Sequence, residues 1–255
     1  MSDRYIGGII SPIAPVVTTT SAKGIWAEQS VLQNIAAGIW PSVDPYYSYV
    51  SLLLHCDGTN GGTTFTDNSQ NVFTVTASGA VITTTTPKYG TGAALFTAGQ
   101  YLSIASNAAF AFTGDFTIEL WVRPDAIAQS MFIDRWAGSN QEWILGMNSS
   151  GNPVFYWAPY ATASPAITGS NTFSTGTYYF VQLVKSGATA TLYVAGSSVG
   201  TIGGLTAGSD LGNNIRIGAY NGGAGWDYAG RIDDVRVTKG VARPNAVPTA
   251  AFPNF

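Results

Sequence analysis

From about residue 49 onward, the chain consists of short apolar runs separated by clusters of Gly, Asn, Ser and Thr. In the run at 116–123, Phe116, Ile118, Leu120 and Val122 fall at alternate positions, which is the period of a strand with one buried face. Strands without helices between them indicate antiparallel sheets packed face to face. About fourteen strands are predicted, at 50–56, 72–77, 79–84, 92–97, 100–104, 115–123, 130–135, 141–147, 153–158, 177–185, 189–195, 198–202, 214–218 and 229–238.

The scarcity of charge supports the same fold class. Asp, Glu, Lys and Arg make up 10% of the 255 residues, against about 25% in ordinary globular proteins. The chain has only three Glu and four Lys, the residues that long helices place on their solvent faces. The apolar share of 45% is too high for a disordered chain, and no apolar run reaches the length of about 18 residues that a membrane helix needs.

Net charge and cysteine content exclude several classes of partner. The net charge is −3 without any basic cluster, so we expect neither nucleic acid nor an anionic membrane surface as a partner, and no membrane insertion. Cys56 is the single cysteine, so no internal disulfide can form. The first ten residues show no secretory signal, and both features are compatible with folding in a reducing cytoplasm.

Residues 1–48 differ in pattern from residues 49–255, and they are predicted to be a separate segment. The stretch 9–20 contains two prolines and a Thr run, which predicts a mostly extended chain. Residues 21–40 are predicted to form one short helix that Pro41 ends. A helix this short is marginal alone in water, so we expect it to dock on its own domain or on another subunit. The residues expected to make such assembly contacts are Ile25, Trp26, Leu32 and Trp40.

Five stretches, in this order and spacing, resemble the LamG-like members of the concanavalin A-like lectin/glucanase superfamily. The resemblance covers about residues 50–255, and it implies a jelly-roll sandwich of two antiparallel sheets. This is the all-β architecture that the strand pattern predicts independently. The five stretches lie at 51–69, 92–104, 112–124, 176–196 and 229–243.

The leader resembles that of LamG-like proteins of bacteriophage virions, through Gly24-Ile25-Trp26, Trp40-Pro41 and Asp44-Pro45. The resemblance implies a structural virion component: a capsid decoration, a head or tail fibre, or another appendage. Such a protein is assembled in the host bacterial cytoplasm and forms homo-oligomers or contacts other virion proteins through residues 1–48. The alternative is a tail-fibre adhesin whose jelly roll recognises a host glycan.

Catalytic patterns are missing from the sequence. Jelly-roll glycoside hydrolases carry acidic residues at alternate positions of one strand, which brings the carboxylates into one cleft. No Glu-x-Asp-x-Glu pattern occurs, and the adjacent Asp233 and Asp234 would point to opposite faces of a regular strand. His55 is the single histidine, and no G-x-S-x-G surrounds a serine. We therefore expect no enzyme activity, with a glycoside hydrolase that lacks the usual motif as the less favoured alternative.

A structural calcium ion is implied by the resemblance, since some members of the family hold one. The matching positions are Asp57, Asp67 and Asp233, and carboxylates in loops are typical calcium ligands. The alternative is that Asp57 and Asp67 are ordinary turn residues and that Asp233 accepts a hydrogen bond or pairs with Arg123, Arg231 or Arg236.

Carbohydrate binding agrees best with the composition, because sugars stack on aromatic faces and bind Asn, Asp and Arg side chains. Weak binding to a glycan of the host surface is therefore expected. The alternative is that these aromatic side chains belong to the core or to a subunit interface. The candidate ligand-binding residues are Tyr220, Asn221, Trp226 and Asp227 around a Gly-rich loop, Arg135 beside Trp136, and Tyr160.

Overall fold

The computed structural model describes residues 17–18, 21–22, 44–158, 164–221 and 225–255. The chain divides into two compact units, which are Met1–Tyr47 with Pro253–Phe255, and Ser48–Phe252.

In the first unit, strand β1 (Val17–Thr18) pairs with strand β2 (Ser21–Ala22) in an antiparallel ladder. This corrects the start of the helix predicted at 21–40, because Ser21 and Ala22 lie in a strand. The remainder of the predicted helix lies outside the described residues, together with Ile25, Trp26, Leu32 and Trp40.

The regular secondary structure of the second unit is almost entirely β-strand, and the described residues contain no α-helix. No described helix is long and apolar enough to cross a membrane. The strands are β3 (Val50–Leu54), β4 (Phe65–Thr66), β5 (Thr74–Ser78), β6 (Val81–Thr83), β7 (Ala93–Phe96), β8 (Tyr101–Ile104), β9 (Phe116–Pro124), β10 (Ser130–Ala137), β11 (Asn140–Met147), β12 (Pro153–Trp157), β13 (Ile167–Thr168), β14 (Tyr179–Ser186), β15 (Thr189–Val194), β16 (Ser197–Ile202), β17 (Ile215–Ile217) and β18 (Gly230–Lys239), with 3₁₀ helices at Tyr47–Tyr49 and Ala108–Phe110.

These strands form two antiparallel sheets. The first sheet has the order β13-β12-β11-β10-β17-β8-β5-β4, and the second has the order β16-β15-β14-β9-β18-β7-β6, with β3 also paired to β18. The predicted all-β sandwich of two antiparallel sheets is thus confirmed, and each of the predicted strands overlaps an observed one.

The core lies between the two sheets. Phe116, Ile118, Leu120 and Val122 are fully buried in one hydrophobic cluster, as the alternation in β9 predicts. Stacked rings reinforce it, since the Phe116 ring centroid lies 4.1 Å from that of Phe112 and 5.6 Å from that of Trp157. Each buried side chain of this size contributes roughly 1.5–3 kcal/mol.

The outer face of the second sheet is covered by the C-terminal segment 241–252. The Thr117 hydroxyl donates to the Val241 carbonyl at 2.9 Å, and the Gln182 amide donates to the Pro244 carbonyl at 3.1 Å. Beneath this segment, Arg236 Nε lies 2.7 Å from Glu119 Oε2. Both faces of β9 are therefore buried, although its sequence alternates.

Candidate functional site

A second, smaller hydrophobic cluster lies on the outer face of the first sheet, and we call it the aromatic patch. Ile144 belongs to this cluster, whereas its neighbours Trp143 and Leu145 belong to the core. Successive residues of a strand point to opposite faces, so the patch and the core share β11. The patch consists of Met131, Trp136, Ile144, Val154 and Tyr156, with the partly buried Ala158, Tyr220 and Trp226 packed against them.

Tyr220 and Trp226 form the exposed edge of the aromatic patch. Their ring centroids are 4.7 Å apart at an interplanar angle of 37°, and Trp226 also stacks on Tyr156 with centroids 6.4 Å apart. The Met131 amide donates to the Trp226 carbonyl at 3.1 Å, which fixes the loop on β10. Tyr220 and Trp226 are only half-buried, so part of their ring surface faces solvent.

The carboxyl group of Asp134 lies within the same face and is fully buried. Its Oδ2 atom accepts a hydrogen bond from the Asn221 amide at 3.0 Å, whereas no described group donates to Oδ1. Burial raises the pKa of Asp134 well above its usual range, against the lowering effects of the Asn221 amide and the Arg216 charge. Burial therefore favours the neutral acid, which can donate a hydrogen bond.

Arg216 stands opposite Asp134 on the neighbouring strand β17. The carbon of its guanidinium group lies 4.1 Å from the centroid of the Tyr101 ring, and its Nη1 atom donates to the Tyr220 carbonyl at 3.3 Å. The guanidinium group is therefore held between the sheet and the loop that carries Tyr220.

The structure brings together three of the predicted ligand-binding residues, Tyr220, Asn221 and Trp226, and Asp227 is half-buried next to Trp226. Tyr160 lies outside the described residues.

Arg135 does not reach the aromatic patch, which corrects its assignment. Its side chain is fully buried, with Nε 2.9 Å from Glu142 Oε2 and Nη2 2.6 Å from Asp210 Oδ1. Neighbouring residues of a strand point to opposite faces. Because the Trp136 side chain packs in the aromatic patch, the Arg135 side chain points to the other face of the sheet.

Three residues at this site were not predicted from the sequence: Asp134, Tyr156 and Arg216. Alternation within the predicted strands could have indicated Tyr156, because its neighbour Trp157 is a core residue. No comparable signal exists for Asp134 and Arg216, which are far apart in sequence and meet only through the pairing of β10 with β17.

The carboxylates of Asp57 and Asp67 are occupied by the chain itself. Asp67 accepts hydrogen bonds from the amides of Leu53, Ser69 and Phe73 at 2.8–3.0 Å. Asp57 accepts hydrogen bonds from the Thr91 amide and hydroxyl and from the Gly92 amide. Asp67 thus closes a turn of its own at Ser69, whereas Asp57 fixes the distant loop at Thr91 and Gly92.

Asp233 and Asp234 depart from a regular strand. The register of β18 shifts between Asp233 and Arg236, and Asp234 has a φ of +49°. The Oδ2 atom of Asp233 accepts hydrogen bonds from the amides of Lys88 and Tyr89 at 2.7 and 3.1 Å. The side chain of Asp234 faces His55 instead.

The three carboxylates of Asp57, Asp67 and Asp233 do not fit one shared calcium site, because each is already bound by backbone amides. In the part of the chain that the structure describes, no three His, Cys, Asp or Glu side chains are arranged to hold a metal ion. The calcium ion stays a prediction, which elemental analysis and the Tm in chelator test.

A two-sheet antiparallel sandwich with this core defines a β-sandwich of the concanavalin A-like class. The Laminin_G_3 family model, described as Concanavalin A-like lectin/glucanases superfamily, matches residues 96–247. The chain belongs to this family. The superfamily description covers lectins and glucanases alike, so membership by itself decides neither binding nor catalysis. No curated protein matches the chain in sequence.

Several solved structures share the fold. The binding domain of Paraclostridial Mosquitocidal Protein 1 is 16% identical with a TM-score of 0.60, over 78% of this chain and 51% of that chain. The receptor binding domain of botulinum neurotoxin D is 16% identical with a TM-score of 0.59, over 78% and 51%. Domain 4 of AbnA, a GH43 extracellular arabinanase from Geobacillus stearothermophilus, is 14% identical with a TM-score of 0.58, over 76% and 94%. This chain thus spans about half the length of the two toxin domains, and likeness at these identities shows the fold alone.

Proposed function

We propose that residues 48–252 form a non-catalytic carbohydrate-binding domain, and that its ligand stacks on the aromatic patch. The observation that carries this proposal is the pair of half-buried rings of Tyr220 and Trp226, held 4.7 Å apart above the sheet. The apolar face of a pyranose or furanose ring can stack on such an aromatic surface. Because both rings are already fixed by packing, binding loses little side-chain entropy.

Polar groups beside the rings supply the second requirement of sugar recognition. Asn221 and Asp227 lie at the partly exposed rim, and the buried Asp134 carboxyl accepts a hydrogen bond from the Asn221 amide at 3.0 Å. Sugar hydroxyls both donate and accept hydrogen bonds, so they can bind the carboxyl group of Asp227 and the side-chain amide of Asn221.

Structural relatives support a binding role. Domain 4 of AbnA was solved in complex with arabinotriose, and a ligand binding domain of botulinum neurotoxin D was solved in complex with N-acetylneuraminic acid. Those ligands are properties of those proteins, and they indicate that this fold is suited to display a glycan site.

The placement of the acidic residues supports a role without catalysis. Glu119 is bound to Arg236 beneath the C-terminal segment, and Glu142 is bound to Arg135 in the interior. Neither glutamate is therefore available as the acid or nucleophile of a glycosidase, which needs two carboxyl groups flanking the substrate. Polysaccharide turnover that is lost in Asp233→Asn would favour an enzyme instead.

A glycan array with the purified chain tests the proposal. The Trp226→Ala variant should lose binding by tenfold or more. Tyr49→Ala removes an aromatic side chain that is 53% exposed in the 3₁₀ helix before β3, and it should bind as the wild type does. Equal binding by wild type and Trp226→Ala would show that the aromatic patch is not the site. Circular dichroism checks that both variants fold.

We further propose that the chain is a structural component of a bacteriophage virion, which residues 1–48 anchor to sister subunits or other virion proteins. The resemblance of the leader supports this role, and assembly would take place in the cytoplasm of the host bacterium. Phage particles assembled with a truncated chain that lacks residues 1–48 should show no density for this protein in a cryo-EM reconstruction. Retention of that truncated chain on the particle would refute the anchoring role.

The alternative is a tail-fibre adhesin with the same glycan site. Weak binding, with a Kd near the millimolar range, indicates decoration with an accessory contact to the host. Tight, specific binding that Trp226→Ala abolishes, together with a corresponding loss of phage adsorption, would favour the adhesin.

A further inference from the structure

Arg216 differs from the other described arginines, because no carboxylate of the described residues lies within salt-bridge distance of its guanidinium group. Each of the others has an acidic partner in the folded chain. Arg123 and Arg231 pair with Asp125, Arg135 pairs with Glu142 and Asp210, and Arg236 and Arg243 approach Glu119.

The guanidinium group of Arg216 is nevertheless held in one place. Its central carbon lies over the Tyr101 ring, 4.1 Å from the centroid, and only its Nη1 atom donates to a described group, the Tyr220 carbonyl. A guanidinium group has five N–H donors in a planar fork, so most of them remain available. An immobilised fork of this kind matches the two oxygens of a carboxylate.

The nearest acidic side chain does not neutralise Arg216. Asp134 stands opposite it in the ladder, but the Oδ2 atom of Asp134 is bound by the Asn221 amide. Burial also holds the pKa of Asp134 well above its usual range. The other titratable groups near this face are the phenols of Tyr101, Tyr156 and Tyr220 and the half-exposed Asp227, and none of them lies within salt-bridge distance of Arg216.

Arg216 and the aromatic patch lie in one row across the outer face of the first sheet. Residues directly opposite each other on neighbouring strands share a face and are in contact. The row continues past Arg216 with two hydroxyl side chains, which face the same surface. Its members are Tyr156, Ile144, Asp134, Arg216, Ser103 and Thr76, each the register partner of the next.

We propose that Arg216 binds the carboxylate of an acidic sugar, a uronic or a sialic acid, whose ring stacks on Tyr220 and Trp226. This inference rests on the proposed carbohydrate-binding function and names the class of glycan. The Tyr220 carbonyl binds the guanidinium directly, so a substituent of a sugar on the Tyr220 ring lies within reach of Arg216. The hydroxyls of Ser103 and Thr76 would then contact the next residue of the glycan.

Isothermal titration calorimetry, which measures the Kd of each ligand, tests the inference with matched pairs of acidic and neutral ligands. The pairs are an oligogalacturonate with its carboxyl-reduced counterpart, and sialyllactose with lactose, which separate the two sources of the carboxylate. The wild-type chain should bind the acidic member of one pair at least tenfold more tightly than the neutral member, and this preference should weaken as salt rises.

Four variants test whether Arg216 causes the preference for the acidic ligand. Arg216→Gln should abolish the preference by weakening the acidic member at least tenfold more than the neutral member, and Arg216→Lys should retain part of the preference, since a lysine keeps the charge but not the fork. Arg123→Gln removes an arginine of the other sheet and should behave as the wild type does. Trp226→Ala should weaken both members of each pair.

The outcomes separate the two proposals. A wild-type chain that binds neutral and acidic members equally, or an Arg216→Gln variant that keeps the preference, overturns the role of Arg216 and leaves the glycan site intact. A wild-type chain that binds neither member of either pair, nor any glycan on the array, overturns the carbohydrate-binding function itself.

Discussion

The Nδ1 atom of His55 lies 2.6 Å from Oδ1 of Asp234, although the two residues are separated by 179 positions in the sequence. The other carboxylate oxygen of Asp234 accepts a hydrogen bond from the Phe252 amide at 2.8 Å. One side chain thus joins the end of β3, the middle of β18 and the end of the C-terminal segment. The positive φ of Asp234 accompanies the β-bulge that aims its carboxylate at His55.

The His55 pair should make stability depend on pH. Burial lowers the pKa of His55, but the hydrogen bond to Asp234 and the charges of Asp234, Asp57 and Asp233 outweigh it and raise the pKa above 6.5. The folded state therefore favours the charged imidazole, and its stabilisation is present below pH 6.5 and is lost as the pH rises through the folded-state pKa. In urea unfolding, His55→Gln should lose about 1.5–3 kcal/mol at pH 5.5 and clearly less at pH 9. An equal loss at both pH values would contradict the ion pair.

The titration of Asp233 should also lower the free energy of unfolding as the pH rises, but over a lower pH range. Burial raises its pKa from 3.8 to about 7, despite the Lys88 and Tyr89 amides and because Asp234 adds a second negative charge. The folded state binds the proton more tightly than the unfolded state, so stability falls as the pH rises from about 4 to about 7, by up to roughly 4 kcal/mol. Asp233→Asn can still accept from both amides, and its unfolding free energy should be flatter over this range. A parallel pH profile for the two proteins would refute the raised pKa.

The buried ion pair of Arg135 and Glu142 predicts a large cost for losing one partner. Arg135→Met should reduce the free energy of unfolding by about 3–5 kcal/mol, because it leaves a buried carboxylate without its cation. Arg123→Met is the matched control, since its pair with Asp125 is partly exposed and is worth about 1 kcal/mol or less. Arg135→Met/Glu142→Gln should recover part of the loss. Similar losses for the two single variants would show that burial of the pair is unimportant.

Gly218 should tolerate no side chain. It has a φ of +92°, and a Cβ atom there would overlap the Phe96 ring. Gly218→Ala should therefore cost roughly 3 kcal/mol or more. Gly204 has a φ of +77° with no atom within 4 Å of a Cβ, so Gly204→Ala should cost only about 1 kcal/mol. Thermal unfolding of both variants measures the difference, and equal Tm values would contradict a steric role for Phe96.

The strands could be predicted because apolar residues alternate with other residues along them, and the apolar positions are the buried ones. Phe116, Ile118, Leu120 and Val122 repeat at every second position, and all four are core residues. The strands at Phe65–Thr66 and Ile167–Thr168 were not predicted, because two residues are too few to show a period. The bulge at Asp234 was not predicted either, since nothing in the sequence marks its positive φ.

The site could be predicted only in part, for a different reason. The Gly-rich loop pointed to Tyr220, Asn221 and Trp226, because loop aromatics are visible in the sequence. The partners beneath them depend on which strands are neighbours, and β10 meets β17 across about eighty residues of chain. Asp134 and Arg216 therefore could not be recognised from local patterns.

The C-terminal segment has a consequence for the geometry of recognition. Residues 241–252 cover the outer face of the second sheet with carbonyl groups and the Phe252 ring. The two outer faces of the sandwich therefore differ, because this one is covered by the chain itself. A glycan that binds the aromatic patch, as we propose, has to approach from the face that bears Trp226. Whatever the domain is attached to, the attachment must leave the face with Trp226 exposed to solvent. The orientation of the domain would then be as much a requirement for binding as the chemistry of the aromatic patch.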